Sequence, residues 1–209
     1  MALFLLEHVN FAGIIHYPQM EIPAGKTTFI CGESGCGKST MLKLLNGILS
    51  SAEGEILYEG KEINSYDALE LRRRVLLVSQ AVFLFDKTIQ ENFDAYYGYR
   101  ELEPIGGDAI NGYLRICAVD FPPDAQCGSM SGGEKQRIFI AICLSLRPEV
   151  LMLDEPTSAL DDQNAHAVLT NIKGFCAENH MSLLVVSHNN ALAQTFADYT
   201  IQLGGGETV

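Results

Sequence analysis

The sequence predicts an α/β fold in which a mostly parallel sheet lies between layers of helices. Three apolar runs support this prediction: VLLVSQ at 75–80, VLMLDEP at 150–156 and LLVVSHN at 183–189. Each run ends abruptly in polar residues, and continuous runs of this kind are typical of strands that are covered on both faces. The polar ends fall at the carboxyl ends of the strands, where open α/β sheets bind their ligands.

The remaining elements are predicted from local composition and from the spacing of apolar residues. KTTFICG at 26–32 predicts a short buried strand, and KSTMLKLLNGIL after it has apolar residues at helical spacing. The stretches LEHVNFAG and ILYEGKEIN predict a few antiparallel strands around them. From about 86 to 130 the chain is more polar, richer in aromatic residues and interrupted by Gly and Pro, which predicts an inserted, mostly helical lobe. We expect one domain over 1–209, with the sheet core in 1–85 and 147–209 and the helical lobe at about 86–146.

The length and composition indicate what kind of protein this is and which binding partners are disfavoured. The chain has 209 residues, of which 47% are hydrophobic, and this length suits one well-buried core. The formal net charge of −12 disfavours a nucleic-acid partner, because phosphates would be repelled. No run approaches the roughly 18 apolar residues of a membrane span. The six cysteines form no CxxC pair and no zinc-type spacing, so we expect buried small side chains in a reducing, cytosolic compartment.

Residues 32–39, GESGCGKS, match the phosphate-loop pattern G-x-x-x-x-G-K-[ST]. The glycines let successive backbone N–H groups point at phosphate oxygens, and the following helix adds its positive dipole end. Lys38 would reach the β- and γ-phosphates, and the hydroxyl of Ser39 would ligate Mg²⁺. The residues expected to hold the nucleotide in this loop are Gly32, Glu33, Ser34, Gly35, Cys36, Gly37, Lys38, Ser39 and Thr40.

Two acidic residues end the run VLMLDEP. Asp154 is suited to act as the outer-sphere partner of Mg²⁺ found in phosphate-loop enzymes, and Glu155 could accept a proton from an attacking water. The alternative is that the two acids only cap a helix. Beside a complete phosphate loop, the metal and catalytic roles are the better interpretation.

The stretch SGGEKQR at 131–137 suggests a second anion site. Ser131 and Glu134 form the capping-box pattern S-x-x-E, which explains both residues structurally. It does not explain Gly132 and Gly133, because glycine near a helix start costs about 1 kcal/mol each relative to alanine. Glycines here make sense if something approaches that backbone, and a helix start with exposed N–H groups would bind an anion.

Six motifs in order, GESGCGKST, VSQ, MSGGEKQR, LMLDEP, SALD and VVSHN, resemble the nucleotide-binding subunits of ATP-binding-cassette (ABC) transporters over about residues 3–205. The resemblance implies a P-loop NTPase with a RecA-like, mostly parallel sheet core, an antiparallel β subdomain and an inserted α-helical lobe. It implies an ATPase that uses ATP and Mg²⁺ and that forms a head-to-tail homodimer, or a dimer with a paired ATPase subunit. In such a dimer Ser131, Gly132, Gly133 and Glu134 contact the γ-phosphate of the ATP held by the other chain.

The same resemblance implies roles for single residues. Glu155 becomes the catalytic base, His188 the γ-phosphate sensor, and Gln80 a contact to Mg²⁺ and the attacking water. Asp161, in SALD, would lie at the dimer interface beside the opposite phosphate loop. The structural alternatives are a capping or core histidine for His188 and a surface amide for Gln80.

The chain also departs from the family pattern. Met130 and Glu134 stand where Leu and Gln are commoner, and both are seen in active members. The aromatic residue that usually stacks on adenine is absent at Ala12-Gly13, and Phe11, His16 and Tyr17 remain open as substitutes. Weak stacking on the base would loosen discrimination between ATP and GTP. Cys36, beside Lys38 and a helix start, is either a redox-sensitive thiol or a passive occupant of the loop.

The resemblance further implies a separate transmembrane permease, which would hold the chain at the cytoplasmic face of the cell membrane. The aromatic residues that could line the permease contact are those at 83, 85, 93, 96, 97 and 99. The runs QAVFLFDKTIQENF, SGGEKQRIF and TSALDDQN resemble the ATPases of iron-export systems more than those of large importers. The alternative function is a soluble ABC ATPase of iron–sulfur cluster assembly or another non-transport machine. A DNA-repair or chromosome ATPase is disfavoured, since no heptads lie between Lys38 and Ser131.

Overall fold

A computed structural model describes residues 1–204, which form two five-stranded sheets and seven α-helices. The strands are β1 (Ala2–Phe11), β2 (Ile15–Tyr17), β3 (Met20–Pro23), β4 (Thr27–Cys31), β5 (Glu53–Tyr58), β6 (Lys61–Glu62), β7 (Val75–Val78), β8 (Val150–Asp154), β9 (Ser182–Val186) and β10 (Tyr199–Gln202). The helices are α1 (Lys38–Leu45), α2 (Ala68–Arg74), α3 (Ile89–Gly98), α4 (Gly107–Ile116), α5 (Gly132–Ser145), α6 (Asp162–Glu178) and α7 (Asn190–Phe196), with a short 3₁₀ turn at Ile63–Ser65.

One sheet is entirely parallel, in the order β10-β4-β9-β8-β7. Every residue of β4, β8 and β9 is buried, so both faces of these strands are covered. This confirms the strands predicted from the apolar runs. It also explains why those runs are continuous and not alternating: no face of the central strands meets water.

The central strands divide their side chains between two hydrophobic cores. In β8, Leu151 and Leu153 join the core that contains the helical lobe, whereas Val150 and Met152 join the core beneath the antiparallel sheet. This alternation follows from the two-residue period of a strand. The parallel sheet is therefore the middle layer of the molecule.

The second sheet is antiparallel and is built around β1. One edge of β1 pairs with β5, and its other edge pairs first with β3 and then with β2. The predicted antiparallel strands around the first phosphate loop are thus confirmed. Ala12 and Gly13 turn the chain between β1 and β2 with positive φ angles of 53° and 68°, and this hairpin brings β2 beside the start of α1.

The segment 86–146, which we expect to form the inserted lobe, contains α3, α4 and α5. Its buried side chains, such as Phe93 on α3 and Ile110 on α4, belong to the same core as Phe29 of β4. Capping boxes start two of its helices, Thr88 with Glu91 for α3 and Ser131 with Glu134 for α5. Between residues 1 and 204, no helix has the length and apolar character needed to cross a membrane.

Candidate active site

A cleft of about 370 Å³ opens at the carboxyl ends of the parallel strands. Most of the predicted site residues meet in it: Ser34, Gly35, Gly37, Lys38, Ser39, Thr40, Gln80, Asp154, Glu155 and His188. Ile15, Ser158 and Val186 also line it, although the sequence analysis did not single them out. Its size suits a nucleotide-sized ligand.

The phosphate loop takes a backbone path that only glycine permits at two positions. Gly32 has a φ of 150°, and a Cβ there would overlap the carbonyl oxygen of Leu203. Gly37, which precedes the first residue of α1, has a φ of 99°, and a Cβ there would come within 2.8 Å of Ile15. Both glycines are therefore required by close approach as well as by backbone conformation.

Lys38 lies within the loop and is only 8% exposed. Its ammonium Nζ donates hydrogen bonds to the carbonyl oxygens of Gly32 and Glu33, at 2.8 Å and 2.7 Å. The loop thus holds a largely buried positive charge at the start of a helix. Both features attract a phosphate group.

Ser39 and Asp154 stand together at the mouth of the cleft. The Ser39 hydroxyl donates to Asp154 Oδ1 at 3.0 Å, and Asp154 ends the fully buried strand β8. Gln80 follows β7 on the neighbouring strand and lines the same cleft. A hydroxyl, a carboxylate and an amide oxygen are the donor types that Mg²⁺ prefers, so these three residues fit the ion.

Glu155 and His188 form a pair that also lines the cleft. Glu155 Oε2 lies 2.9 Å from His188 Nδ1, and the Glu155 backbone N–H donates to the carbonyl of Val186 at 3.0 Å. Glu155 has a φ of +53°, a conformation that is costly for a residue with a side chain. The side chain of Glu155 is 18% exposed and that of His188 is 71% exposed, so the pair faces the open cleft.

Ile15 and Tyr17 hold the phosphate loop from the antiparallel sheet. The buried Tyr17 hydroxyl donates to the carbonyl oxygen of Gly37 at 2.7 Å, and Ile15 packs against the Cα of the same glycine. Tyr17 is 1% exposed, so its ring cannot stack on a bound base. Sequence reasoning missed this support, because the pattern of β2 does not show which residue faces the loop.

Cys36 points away from the cleft. Its Sγ lies next to Gly32, and its Cβ packs near Gly204 on the far side of the loop. The thiol is half-buried and borders a second pocket together with His16. In the structure, the Cys36 side chain therefore packs within the phosphate loop and against the end of the described chain.

The second glycine turn lies outside the cleft. The backbone N–H and the hydroxyl of Ser131 both donate to Glu134 Oε2 at 2.7 Å, which completes the capping box at the start of α5. These bonds, first from the Ser131 side chain and then from its backbone, hold the pKa of the Glu134 carboxyl below its usual value. The turn is solvent-exposed at Ser131 and Gly132.

The two glycines of this turn have different surroundings. A Cβ on Gly133 would lie 2.9 Å from the Cβ of Ala159, so Gly133 is required by packing within the chain. A Cβ on Gly132 would meet no atom within 4 Å. Of these two glycines, therefore, only Gly132 has a backbone that a molecule outside the chain could approach closely.

Asp161 begins α6 and is exposed. Its carboxylate accepts from the Asn164 backbone N–H at 2.9 Å and from the Asn164 side chain at 2.6 Å. The Asn164 backbone contact is the main reason why the pKa of the Asp161 carboxyl is lowered. Asp161 thus acts as a helix cap within the chain and does not line the cleft.

The aromatic residues of the lobe divide into a core set and a surface set. Phe93 is fully buried and Tyr97 is 6% exposed, so neither can line a docking surface. The other four aromatic residues contact one another on the surface and are called here the aromatic patch: Phe83, Phe85, Tyr96 and Tyr99. Two members of this patch, Phe83 and Tyr99, are 64% and 66% exposed.

Comparisons with protein-family models, known proteins and solved structures all find ABC proteins. A family model described as "ABC transporter" matches residues 15–158. The probable iron export ATP-binding protein FetA of Escherichia coli (strain K12) is 32% identical over 90% of this chain and 85% of that protein. The phosphate import ATP-binding protein PstB of Saccharolobus solfataricus is 33% identical over 97% of this chain and 83% of that protein. A dimeric ATP-binding cassette, MJ0796, solved in a post-hydrolysis state with ADP and Pi, superimposes with a TM-score of 0.81 and 25% identity over 96% of this chain and 94% of that chain.

Proposed function

Because this chain belongs to the ABC transporter family as an ATP-hydrolysing, ATP-binding subunit, we propose that two copies close head to tail around two ATP molecules. In this assembly each ATP lies in the cleft of one chain and contacts the Ser131–Glu134 turn of the other. Closing and reopening then drive a separate permease in the membrane. The proposal places the chain at the cytoplasmic face of that membrane, held there by its partner.

One observation carries the proposal: the phosphate loop and the second turn belong to the same chain but not to the same cleft. The residues that line the cleft include Lys38, Asp154 and Glu155, and none from the Ser131–Glu134 turn. The exposed turn has an open backbone at Gly132, where no atom of its own chain approaches. Within one chain this turn has no nucleotide to contact, whereas in a head-to-tail pair it faces the nucleotide of its partner.

The residues of the cleft suit hydrolysis of the γ-phosphate. In the proposed reaction a water attacks the γ-phosphorus while its proton passes to the Glu155 carboxylate. The bond to the β–γ bridging oxygen breaks, and ADP and phosphate are released. His188 Nδ1 orients the Glu155 carboxylate, and its second ring nitrogen can donate to a γ-phosphate oxygen. Lys38 neutralises charge on the phosphates.

Mg²⁺ is the metal that these residues would hold. Ser39, Asp154 and Gln80 supply oxygen donors at the mouth of the cleft, and the phosphates supply further ones. When bound, the ion neutralises charge on the β- and γ-phosphate oxygens. The protein's own contribution is to place Gln80 and Asp154 at the ends of the adjacent strands β7 and β8, and Ser39 at the start of α1, so that the three side chains converge in the folded chain.

The aromatic patch is the surface that we propose for the permease. Its rings are partly exposed on the lobe, and large exposed aromatic groups are typical of protein–protein contacts. The family match, described as "ABC transporter", favours a membrane protein over a soluble one as the partner of this patch. For cargo, the sequence resemblance favours iron export. The relatives described above include an iron exporter at 32% and a phosphate importer at 33% identity, so overall identity does not separate the two cargoes.

The test is the variant Glu155→Gln. It removes the proton acceptor while keeping the shape of the side chain, so hydrolysis should fall at least about 100-fold. ATP then stays bound and should trap a dimer that elutes earlier from a sizing column. Glu178→Gln is the matched control, because it makes the same chemical change at an exposed carboxylate outside the cleft.

A second change separates dimer formation from nucleotide binding. Adding Ser131→Arg to Glu155→Gln should abolish the trapped dimer, because the bulky cation occupies the surface that the partner's nucleotide must reach. Binding of a fluorescent ATP analogue to each chain should persist. A trapped dimer that tolerates Ser131→Arg, or hydrolysis at the normal rate in Glu155→Gln, would show the proposal to be wrong.

A further inference from the structure

Asn92 on α3 is a fully buried polar residue whose side chain bonds to the backbone of Phe85 and Thr88 and to the side chain of Cys127. Its Oδ1 accepts a hydrogen bond from the Phe85 N–H at 2.8 Å. Its Nδ2 donates to the carbonyl oxygens of Phe85 and Thr88, at 3.1 Å and 2.9 Å, and lies 3.6 Å from the Sγ of Cys127. A buried amide with this many partners holds their relative positions tightly.

The segment before α3 also pairs directly with the segment before α5. The backbone N–H groups of Ile89 and Gln90 donate to the carbonyls of Ala125 and Pro123, at 3.0 Å and 2.8 Å. In the other direction, the N–H of Cys127 donates to the carbonyl of Lys87 at 2.9 Å. Segments 85–90 and 123–127 are thus linked by a short backbone ladder, which Asn92 reinforces from inside.

This ladder continues to the second glycine turn. The Met130 N–H donates to the Cys127 carbonyl at 3.2 Å, and Lys135 Nζ donates to the Gly128 carbonyl at 3.2 Å. Gly128 also packs so closely against the Asp86 carboxylate that a Cβ there would overlap it. The path from segment 85–90 to Ser131 is therefore hydrogen-bonded or tightly packed throughout.

The other end of the ladder is the aromatic patch. Phe85 belongs to the patch, contacting Phe83 and Tyr96 with ring centroids 5.0 Å and 6.2 Å apart. Both backbone polar groups of Phe85 bond to Asn92. A displacement of Phe85 would therefore act directly on the Asn92 amide.

We propose that Asn92 is a positioning residue, which makes the aromatic patch and the Ser131–Glu134 turn move as one unit. Rearrangement at the patch then changes where the turn meets the partner's ATP, and ATP-driven closure moves the patch. This inference rests on the proposed function for its consequence, since it takes the turn to be a contact to the partner's nucleotide. The mechanical link itself depends only on the contacts around Asn92.

A purely local role for Asn92 would be to start α3. That role is already filled, because the Thr88 hydroxyl accepts from the Glu91 N–H and the Glu91 carboxylate accepts from the Thr88 N–H. Asn92 instead bonds backward to Phe85 and across to Cys127. Its contacts are therefore those expected of a residue that connects segments.

The first experiment is hydrogen exchange of the full-length wild-type chain without nucleotide. If the two segments open together, the amides of Phe85, Ile89, Gln90 and Cys127 exchange with the same opening free energy. Amides of 85–90 that open independently of Cys127 would overturn the proposal. This measurement needs no variant, so it decides the link even if substitutions at Asn92 prevent folding.

The second experiment uses Asn92→Ala with Asn46→Ala as the matched control. Asn46 is also a buried asparagine, 3% exposed, but its side chain serves only the end of α1 by accepting from the Ile48 N–H. In Asn92→Ala, exchange of the Cys127 and Met130 amides should accelerate about tenfold, as expected for the loss of a buried hydrogen bond. In Asn46→Ala the exchange of these two amides should stay unchanged.

The functional readout is the ATP-trapped dimer in the Glu155→Gln background. Asn92→Ala should require about tenfold more ATP to form the dimer, while binding of a fluorescent ATP analogue to the single chain stays within about twofold. Equal dimer formation in the Asn92→Ala and Asn46→Ala variants would overturn the positioning role. If Glu155→Gln alone forms no dimer, the proposed function fails, and the exchange data still decide whether Asn92 links the two segments.

Discussion

The loop at 32–40 and the turn at 131–134 both bring glycines to the start of a helix, yet they are built differently. Lys38 is largely buried, and the loop is held by Tyr17 from one sheet and by the end of β4 in the other. The 131–134 turn is exposed, and only its own Glu134 satisfies the Ser131 donors. The loop at 32–40 is enclosed by its own chain. The turn at 131–134 is open to solvent and would contact a nucleotide only as part of a site shared with a second chain.

In both places the chain itself supplies acceptors for donor groups that would otherwise bind a phosphate. Lys38 donates to two loop carbonyls, and the Glu134 carboxylate accepts from the Ser131 N–H and hydroxyl. Binding must exchange these internal contacts for contacts to the ligand. The cost of this exchange differs between the two places. Lys38 would exchange neutral acceptors for anionic ones, whereas Glu134 must move away from an arriving anion.

The largest effect is expected from Lys38→Met. The change removes the positive charge of the loop at nearly constant length, and hydrolysis should fall about 100- to 1,000-fold, as for loss of a main electrostatic contact. Initial rates at saturating ATP measure this loss. Lys43→Met on the same helix is the control and should keep its rate. Equal losses in the two variants would show that α1 is only damaged as a helix.

The next largest effect is expected from Gly132→Ala, which tests the more exposed of the two glycines in the turn. Gly132→Ala should leave the melting temperature unchanged or raise it, because alanine favours a helix by up to about 1 kcal/mol. Hydrolysis should nevertheless fall about tenfold, since the new Cβ meets the partner's nucleotide and costs roughly 1.4 kcal/mol of contact.

Gly133→Ala is the matched comparison. Its Cβ would crowd Ala159, so the melting temperature should drop with the rate. Thermal melts and initial rates of both variants are the measurements. If Gly132→Ala hydrolyses ATP as fast as the wild type, the exposed turn does not contact a nucleotide.

Glu134→Gln should have a smaller effect in the opposite direction. The amide can still cap α5 but no longer repels an approaching phosphate, so a dimer should form at about fivefold lower ATP in the Glu155→Gln background. The low pKa of Glu134 keeps its carboxylate ionised, so its capping contribution is present at neutral pH and is lost only as pH falls through that lowered pKa. The difference between the two variants should therefore persist between about pH 6 and 8. A dimer weakened by Glu134→Gln would contradict the repulsion argument.

The smallest effect is expected from Tyr17→Phe. It removes one buried hydrogen bond to the carbonyl of Gly37, which keeps its helical bond from the Met41 N–H at 2.8 Å. We expect a change of about threefold in kcat or KM, which corresponds to a net contribution below about 1 kcal/mol. Steady-state kinetics with ATP measure it. A loss as large as that of Lys38→Met would mean that β2 determines the shape of the phosphate loop.

Much of the fold could be predicted because its signals are local. Strands β7, β8 and β9 are continuous apolar runs, since both of their faces are covered. The loop at 32–40 could be predicted for the same reason. Its glycines, Lys38 and Ser39 are close together in the chain, so the motif itself indicates phosphate binding. Asp154 and Glu155 could be placed at a strand end because polar residues interrupt the run there.

Other features depend on contacts between segments that are distant in the sequence. The aromatic residues at 83–99 look alike in the sequence, but in the packed lobe Phe93 on α3 is buried, whereas Tyr99 just beyond the end of α3 is exposed. The roles of Gly132 and Gly133 separate only when the loop carrying Ala159 is placed beside them. The four partners of Asn92 likewise come together only when the lobe is packed.

The order of the elements, the phosphate loop and the acidic pair could all be identified from the amino-acid sequence, because they depend on short-range spacing and on where apolar runs begin and end. The packed structure was needed to show that Tyr17 supports the loop, that His188 meets Glu155 and that Asn92 lies between the aromatic patch and the exposed turn. The physical reason is that hydrogen bonds and packing act over a few ångströms in space. Which residues come that close is set by how the sheets and helices pack, and not by their separation along the chain.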